Sequence, residues 1–116
     1  MNILINFVGT CVTAEFPQKI NSIKGAPLAI EKITNEGHLI YLKDNLKTLE
    51  KNEAISWFRS RGLNIKSFDK NINFDLVFSS TGGFCELNFN EFISKASFVD
   101  WKKTLNKLIE KKYLSN

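Results

Sequence analysis

The sequence predicts a single α/β domain over residues 1–116, a three-layer α/β/α fold with a Rossmann-like parallel sheet of about four strands between flanking helices. Three observations predict this fold. Short apolar segments alternate along the chain with longer amphipathic ones, as strands alternate with helices. Strand–helix–strand spacing implies right-handed crossovers and therefore a parallel sheet. A chain of 116 residues with 43% hydrophobic residues is sufficient for one hydrophobic core.

The first predicted strand covers residues 3–8, a nearly continuous apolar run. Such a run is typical of a central parallel strand that is buried on both faces. The strand is predicted to end at residues 9–10. A loop then leads to a helix in which Pro27 suits the first turn and which ends at Gly37.

The second strand is predicted over residues 38–42, and a long helix follows from about residue 46 to residue 61. Asn45 precedes this helix, and its side-chain oxygen is predicted to accept a hydrogen bond from the first turn. The apolar stripe of the helix is expected to be buried. It consists of Leu46, Leu49, Ala54, Trp57 and Phe58.

The last third of the chain predicts two strands and a helix. Gly62 provides a left-handed helix end, and residues 63–68 then alternate as a short, half-exposed strand at the edge of the sheet. A fourth strand is predicted over residues 74–78, followed by an irregular extension over residues 84–92. The final helix is predicted to start near Asp100. Its buried stripe consists of Trp101, Leu105, Leu108 and Ile109.

Composition excludes several function classes. The formal charge of +4 comes mostly from lysines on the polar side of the last predicted helix, and no basic run is interleaved with aromatic residues, so we do not expect nucleic-acid binding. Cys11 and Cys85 are too few for a disulfide framework and are not spaced as a zinc site. No apolar run is long enough to span a bilayer, and no cleavable signal is present, so the predicted location is cytoplasmic.

Open parallel sheets bind ligands beyond the carboxyl ends of their strands, near the point where the strand order reverses. In this chain the rule selects residues 6–10, 43–45 and 79–83, which follow the first, second and fourth predicted strands. We therefore expect the candidate functional residues to lie at this edge. His38, the single histidine, starts a strand at the opposite edge and is expected to be structural.

The chain resembles a known family in several segments that occur in the same order. They are residues 2–17, residues 37–38, residues 54–62, Asp75 with Leu76, and residues 98–103. Together they resemble a small, capless group of haloacid dehalogenase-like (HAD-like) hydrolases of bacteria and their phages. The resemblance covers most of the chain and implies a HAD-like domain without a cap domain.

The resemblance also implies that the catalytic groups of that family are missing. In the family, the first strand delivers Asp-x-Asp-Gly-Thr, in which the first aspartate attacks phosphorus and the second handles protons. Asn6 and Val8 occupy those positions. An amide has no anionic oxygen with which to form an aspartyl phosphate, and an isopropyl group carries no proton. Gly9 and Thr10 alone match the motif.

The other catalytic positions of the family are changed as well. The phosphate-binding hydroxyl falls at Asp44, and the lysine falls at Asn71, with Lys70 one place away. The acidic pair that holds Mg²⁺ falls at Ser79 and Ser80. Neutral hydroxyls are poor substitutes for the carboxylates that Mg²⁺ requires. We therefore expect no catalytic residues, no metal and no cofactor.

Three functions follow from these observations. The leading hypothesis is a catalytically inactive HAD-like domain, a pseudoenzyme that acts as a binding, regulatory or structural accessory protein. It would be encoded by a phage or its host. Virion association is an alternative to a cytoplasmic location. The second is a metal-independent binder of phosphate or a nucleotide. It would use neutral donors of the inherited pocket, Asn6, Thr10, Ser79 and Ser80. The third is an atypical phosphohydrolase.

A protein partner or self-association is suggested by the phenylalanine content. The chain has 10 phenylalanines, more than the periodic elements would bury, so part of the segment from residue 84 to residue 98 is predicted to form an exposed apolar patch. The candidate interface residues are Phe84, Phe89, Phe92 and Phe98.

Overall fold

The computed structural model describes all 116 residues, which form six strands and three helices. In chain order these are β1 (Asn2–Ile5), α1 (Ala26–Asn35), β2 (Leu39–Leu42), α2 (Thr48–Ser60), β3 (Lys66–Ser67), β4 (Leu76–Phe78), β5 (Leu87–Asn88), β6 (Phe98–Val99) and α3 (Trp101–Glu110). None of these helices is both long enough and apolar enough to cross a membrane.

The main sheet has four parallel strands in the order β3-β2-β1-β4. Ile5 of β1 is in register with Leu42 of β2 on one side and with Phe78 of β4 on the other. Ile3 and Ile5 are fully buried, as expected for a central strand. The prediction of an α/β fold with a Rossmann-like parallel sheet is thereby confirmed.

The strand order reverses at β1, since β2 and β4 lie on its two sides. The carboxyl ends of β1 and β4 therefore border the crevice in which this class of sheet binds ligands. Asn6 and Ser79 are the first residues after those strands. They therefore lie at the carboxyl edge of the sheet, where the candidate functional residues were predicted to lie.

A second, two-stranded antiparallel sheet pairs β5 with β6, with Leu87 opposite Val99. It leads directly into α3, whose N-cap is Asp100. The Asp100 carboxylate accepts a hydrogen bond from the backbone N–H of Lys103 at 3.0 Å. The predicted start of this helix is confirmed, and an aspartate at this position also suits the positive end of the helix dipole.

Several aromatic side chains pack against one another in the core. Phe7 meets the Trp57 ring edge-on at a centroid distance of 5.7 Å, and Phe16 at 5.1 Å. Phe78 and Trp101 form a second such pair at 5.6 Å. Edge-to-face contacts of this kind add to the stabilisation from apolar burial.

The start of α2 differs from the prediction in two ways. Lys47, not Asn45, is the N-cap, and it makes no side-chain cap bond. The Asn45 side chain does not cap the helix but donates to Asn6. Leu49 lies in the first turn of α2 and is 79% exposed rather than buried. Ala54, Trp57 and Phe58 are buried as predicted.

The strands are shorter than predicted. The strand expected over residues 3–8 ends at Ile5 because the chain turns there, with the Cys11 N–H donating to the Phe7 carbonyl at 2.9 Å. The half-exposed strand expected over residues 63–68 is reduced to β3, which pairs with β2 alone. An edge strand has a partner on one side only, and that limits its length here.

Candidate functional site

The carboxyl edge of the sheet has an amide pair at its centre. The backbone N–H of Asn6 donates to the Phe78 carbonyl at 2.9 Å, which ties the end of β1 to β4. The Asn45 side-chain Nδ2 donates to Asn6 Oδ1 at 3.1 Å. The side-chain oxygen of Asn6 is thus already bonded by a neutral donor from the loop after β2, and the pair carries no charge.

Val8 and Gly9 bring the loop after β1 against the loop after β4. Val8 is half-buried and packs against the hydrophobic core. Gly9 has a φ of +87°, and a Cβ placed there would overlap the Ser80 side chain. Glycine is therefore required at this position both by its backbone conformation and by the close approach of Ser80. The contact places the Ser80 side chain directly against the Gly9 backbone.

The Ser79 hydroxyl is used within its own turn. Ser79 is buried, and its Oγ accepts a hydrogen bond from the Thr81 backbone N–H at 3.1 Å and lies 2.8 Å from the Thr81 Oγ1. Serine side chains commonly stabilise turns in this way. Ser79 and Ser80 therefore lie at the predicted edge, where one braces a turn and the other packs on glycine.

Thr10 lies below the edge rather than on it. Its side chain is fully buried, and its hydroxyl donates to the Phe7 carbonyl at 3.2 Å. The Thr10 carbonyl accepts a hydrogen bond of 2.7 Å from the Trp101 indole N–H. Thr10 is one of the four predicted ligand-binding residues, but its hydroxyl and its carbonyl both bond groups in the core. They satisfy a buried backbone carbonyl and a buried indole N–H.

Other polar residues singled out in the sequence make no hydrogen bond or ion pair with Asn6. Asp44 is exposed and pairs with Lys51, with 3.6 Å between Oδ1 and Nζ. Asp75 accepts a hydrogen bond from the Asn2 N–H at 2.7 Å at the amino end of the sheet. His38 lies at the same end, with Nε2 2.9 Å from the Tyr113 carbonyl, in keeping with the structural role expected for it.

No three His, Cys, Asp or Glu side chains lie close enough together to hold a metal ion. Asn71 and Asp69 form a local turn, in which the Asp69 carboxylate accepts from the Asn71 N–H at 2.9 Å. That turn uses the position at which the resemblance places the lysine of the family.

Both cysteines are buried and protonated at neutral pH. Loss of hydration on burial raises the pKa of the Cys11 thiol far above its ordinary value, and the same effect raises the pKa of Cys85 to about 11. Since the thiolate is the nucleophile in cysteine chemistry, neither side chain is activated for catalysis.

An exposed apolar surface lies on the segment that contains β5. Phe92 is 92% exposed and Phe89 58% exposed. Ile93 and Leu87, which the sequence analysis did not single out, are exposed beside them in the chain. We call these four residues, Leu87, Phe89, Phe92 and Ile93, the aromatic face.

The interface predicted from sequence divides between this surface and the core. Phe89 and Phe92 belong to the aromatic face, but Phe98 is buried in the core at 7% exposure, and its assignment to an exposed patch was wrong. Phe98 lies in β6, directly before α3, and is buried where that strand meets the core. Phe84 is half-buried, and its ring contacts those of Phe78 and Tyr113 at centroid distances of 6.3 and 6.2 Å.

The chain directly after the aromatic face is held to the loop after β1 by hydrogen bonds. The buried Ser94 Oγ accepts from the Ala14 N–H at 3.3 Å, and Glu15 Oε2 accepts from the Lys95 N–H at 3.1 Å. The latter bond is the main reason why the pKa of Glu15 lies below its ordinary value. These bonds hold the segment in one place while its large apolar side chains face solvent.

No protein-family model matches the chain, and no curated protein matches it. Among solved structures it is similar to a conserved protein from Bacteroides thetaiotaomicron, with 22% identity and a TM-score of 0.71. The similarity covers 97% of this chain and 91% of the other. At this identity the similarity concerns the fold alone.

Proposed function

We propose that this protein is a catalytically inactive HAD-like domain that acts by binding another molecule rather than by catalysis. The proposal includes the finer fold assignment, a three-layer α/β/α domain without a cap over residues 1–116. The observation that carries it is the hydrogen bond from Asn45 to Asn6. A neutral amide pair stands at the end of β1, where a phosphohydrolase of this kind needs an anionic nucleophile.

Three further contacts support the loss of catalysis. Val8 packs on the core instead of handling protons. Ser79 is bonded to Thr81 within a turn, and Ser80 fills the space beside Gly9. These contacts occupy the edge with protein groups that satisfy one another, and an edge of this kind contributes to stability rather than to substrate binding.

The aromatic face supports a binding role. Its four large side chains are exposed within one segment of seven residues, and exposed apolar patches commonly mark an interface with a protein. Aromatic residues are also over-represented among those that dominate interface energetics. The partner in this proposal is another protein or a second copy of the chain, inside a bacterial cell or as part of a phage particle.

The alternative of a metal-independent phosphate or nucleotide binder in the inherited pocket has less support. It needs the hydroxyls of Thr10 and Ser79 as donors, and these hydroxyls lie against the Phe7 carbonyl and within the Ser79–Thr81 turn. An atypical phosphohydrolase is supported by no contact at this edge.

A phosphatase assay tests the proposal directly. Purified protein is incubated with phosphomonoesters and nucleotides, with and without Mg²⁺, beside an Asn6→Ala variant and an Asn106→Ala control that changes an exposed asparagine of α3 outside the site. We expect no turnover above buffer for any of the three proteins. Mg²⁺-dependent turnover that Asn6→Ala abolishes and Asn106→Ala preserves would overturn the proposal.

A further inference from the structure

A cavity of about 430 Å³ opens at the β3 edge of the sheet, between α2 and the chain that follows it. We call it the basic groove. Its lining includes Lys51, Ile55, Arg59, Leu63 and Lys66. Neither Asn6 nor any residue of the aromatic face contributes to it, so the groove is separate from both regions described above.

Helix periodicity and one glycine build the groove. Lys51, Ile55 and Arg59 are four residues apart and therefore share one face of α2. The helix ends at Gly62, whose φ of +68° is a left-handed conformation that turns the chain back on itself. The residues that follow then run beside this face of α2 and form the opposite wall.

The floor of the groove is apolar and its rim is cationic. Ile55 and Ile65 are half-buried, while Leu42 and Leu63 are buried. The charged residues of the lining are Lys51, Arg59 and Lys66, and no carboxylate belongs to it. The groove therefore presents an apolar surface beneath an excess of positive charge.

Most of this charge is not neutralised within the protein. The Lys51 Nζ lies 3.6 Å from Asp44 Oδ1, but Arg59 and Lys66 form no ion pair. Unpaired cations beside a concave apolar surface attract anions, since the lower dielectric of the cavity wall strengthens their field. A guanidinium such as that of Arg59 also matches the two oxygens of a carboxylate or phosphate.

We propose that the basic groove binds a small organic anion with an apolar body. Its carboxylate or phosphate group lies at Arg59 and Lys66, and its apolar part lies on Ile55 and Leu63. The volume of the groove falls in the range of about 300–1,000 Å³ that is common for sites of this type. The inference goes beyond the proposed function, because it assigns a second binding site on another face of the domain.

The probe for this site is 8-anilinonaphthalene-1-sulfonate, which carries an aromatic body and one negative charge and fluoresces when bound. Arg59→Gln/Lys66→Gln is compared with Lys102→Gln/Lys103→Gln, which removes the same charge from the exposed side of α3. Loss of charge-assisted hydrogen bonds should weaken probe binding by about tenfold or more in the groove variant. The control variant should bind as the wild type does, and a Phe89→Ser/Phe92→Ser variant should keep the component of binding that Arg59→Gln/Lys66→Gln removes.

Competition identifies the acid group, and NMR identifies the location. Octanoate or octyl phosphate should displace the probe whereas octanol should not, and the more effective of the two anions indicates a carboxylate or a phosphate ligand. Amide signals of Gly62, Asn64 and Ser67 should shift on titration of the wild type. Equal binding by the groove and control variants, loss of binding in the phenylalanine variant, or shifts confined to the aromatic face would overturn the assignment.

Discussion

The carboxyl edge of the sheet and the aromatic face differ in how their side chains are satisfied. At the edge, polar groups bond one another: Asn45 with Asn6, and Ser79 with Thr81. Directly below it, Thr10 bonds Phe7 and Trp101. On the aromatic face, large apolar groups such as Phe92 face water without a partner. Folding explains the bonds of Ser79 and Thr10, because buried polar groups must be paired, but it does not explain the exposed apolar groups.

This contrast indicates where function is to be sought. In an enzyme, unsatisfied or strained groups are expected at the ligand-binding edge of the sheet, since active sites keep such groups for their substrates. Here Asn6 and Ser79 are hydrogen-bonded, and the buried polar atoms without a partner, Thr13 Oγ1 and Glu15 Oε1, lie farther along the loop after β1. The exposed apolar surface lies on the β5 segment. A hydrophobic surface of this type is suited to contact with a macromolecule rather than to chemistry.

The largest expected effect separates Phe98 from Phe92. Phe98→Ser should lower the free energy of unfolding by about 3–5 kcal/mol, because it removes a buried ring from the core. Phe92→Ser and Phe89→Ser should change it by less than about 0.5 kcal/mol, as is usual for exposed sites. Thermal and urea unfolding measure these changes.

The same variants test the interface. Phe92→Ser or Phe89→Ser should weaken self-association, measured by sedimentation, or capture of a partner. The thermal transition should stay nearly unchanged. A loss of stability in Phe92→Ser as large as that in Phe98→Ser would end the distinction between the aromatic face and the core.

The different fates of these phenylalanines show how far the sequence is informative. The apolar run that forms β1, the helix start at Asp100 and the helix end at Gly62 are local signals. The two helix ends appear where they are predicted, and β1 appears with a shorter range. Phe98 and Phe92 lie in a segment with two-residue strands, too short for a period to show which side chain points inward.

The predicted site depended on tertiary contacts in a similar way. Topology placed Asn6 and Ser79 at one edge, since the ends of adjacent parallel strands must meet. The bond between Asn45 and Asn6 joins residues 39 positions apart, and Asn45 was predicted to cap α2 instead. Thr10 was predicted to face a ligand, but its hydroxyl lies against the Phe7 carbonyl, which no sequence pattern signals.

A second prediction concerns restoration of the missing aspartates. Asn6→Asp/Val8→Asp should not hydrolyse phosphomonoesters with Mg²⁺, since Ser79 and Ser80 supply no carboxylate for the metal. It should lose stability on the order of 2–3 kcal/mol, because two carboxylates then replace an amide and an apolar group that packs on the core. Phosphate release and urea unfolding measure the two effects.

The control for this reversion is Leu49→Asp/Asn52→Asp, which adds the same charge at two exposed positions of α2 and should cost little stability. Robust Mg²⁺-dependent hydrolysis by Asn6→Asp/Val8→Asp would show that the edge still forms a metal site, and the contrast between the two regions would then fail.

A smaller effect is expected when one hydrogen bond of the edge is removed. Trp101→Phe keeps an aromatic ring in the core but leaves the Thr10 carbonyl without its 2.7 Å bond to the indole N–H. An unsatisfied buried acceptor costs about 1–2 kcal/mol. We expect a loss of that size in urea unfolding, with no change in binding by the aromatic face. A weakened interface in Trp101→Phe would mean that the two regions are coupled.

The smallest effect concerns the pH dependence of the aromatic face. The hydrogen bond from the Lys95 N–H lowers the pKa of Glu15 in the folded protein below the ordinary value of 4.5. A carboxyl group whose pKa is lowered by folding contributes stability that is fully present above the ordinary value and is lost as the pH falls through the folded-state pKa. Acidification below pH 4.5 should therefore loosen the attachment of this segment to the loop after β1.

Hydrogen exchange at the Lys95 amide should speed up more than exchange at Asn6, whose N–H donates to the Phe78 carbonyl and to no titratable group. In Glu15→Gln this difference should disappear, since a glutamine does not titrate. Equal acceleration at Lys95 and Asn6 in the wild type would show that acid opens the domain as a whole and that Glu15 is not what holds the aromatic face in place.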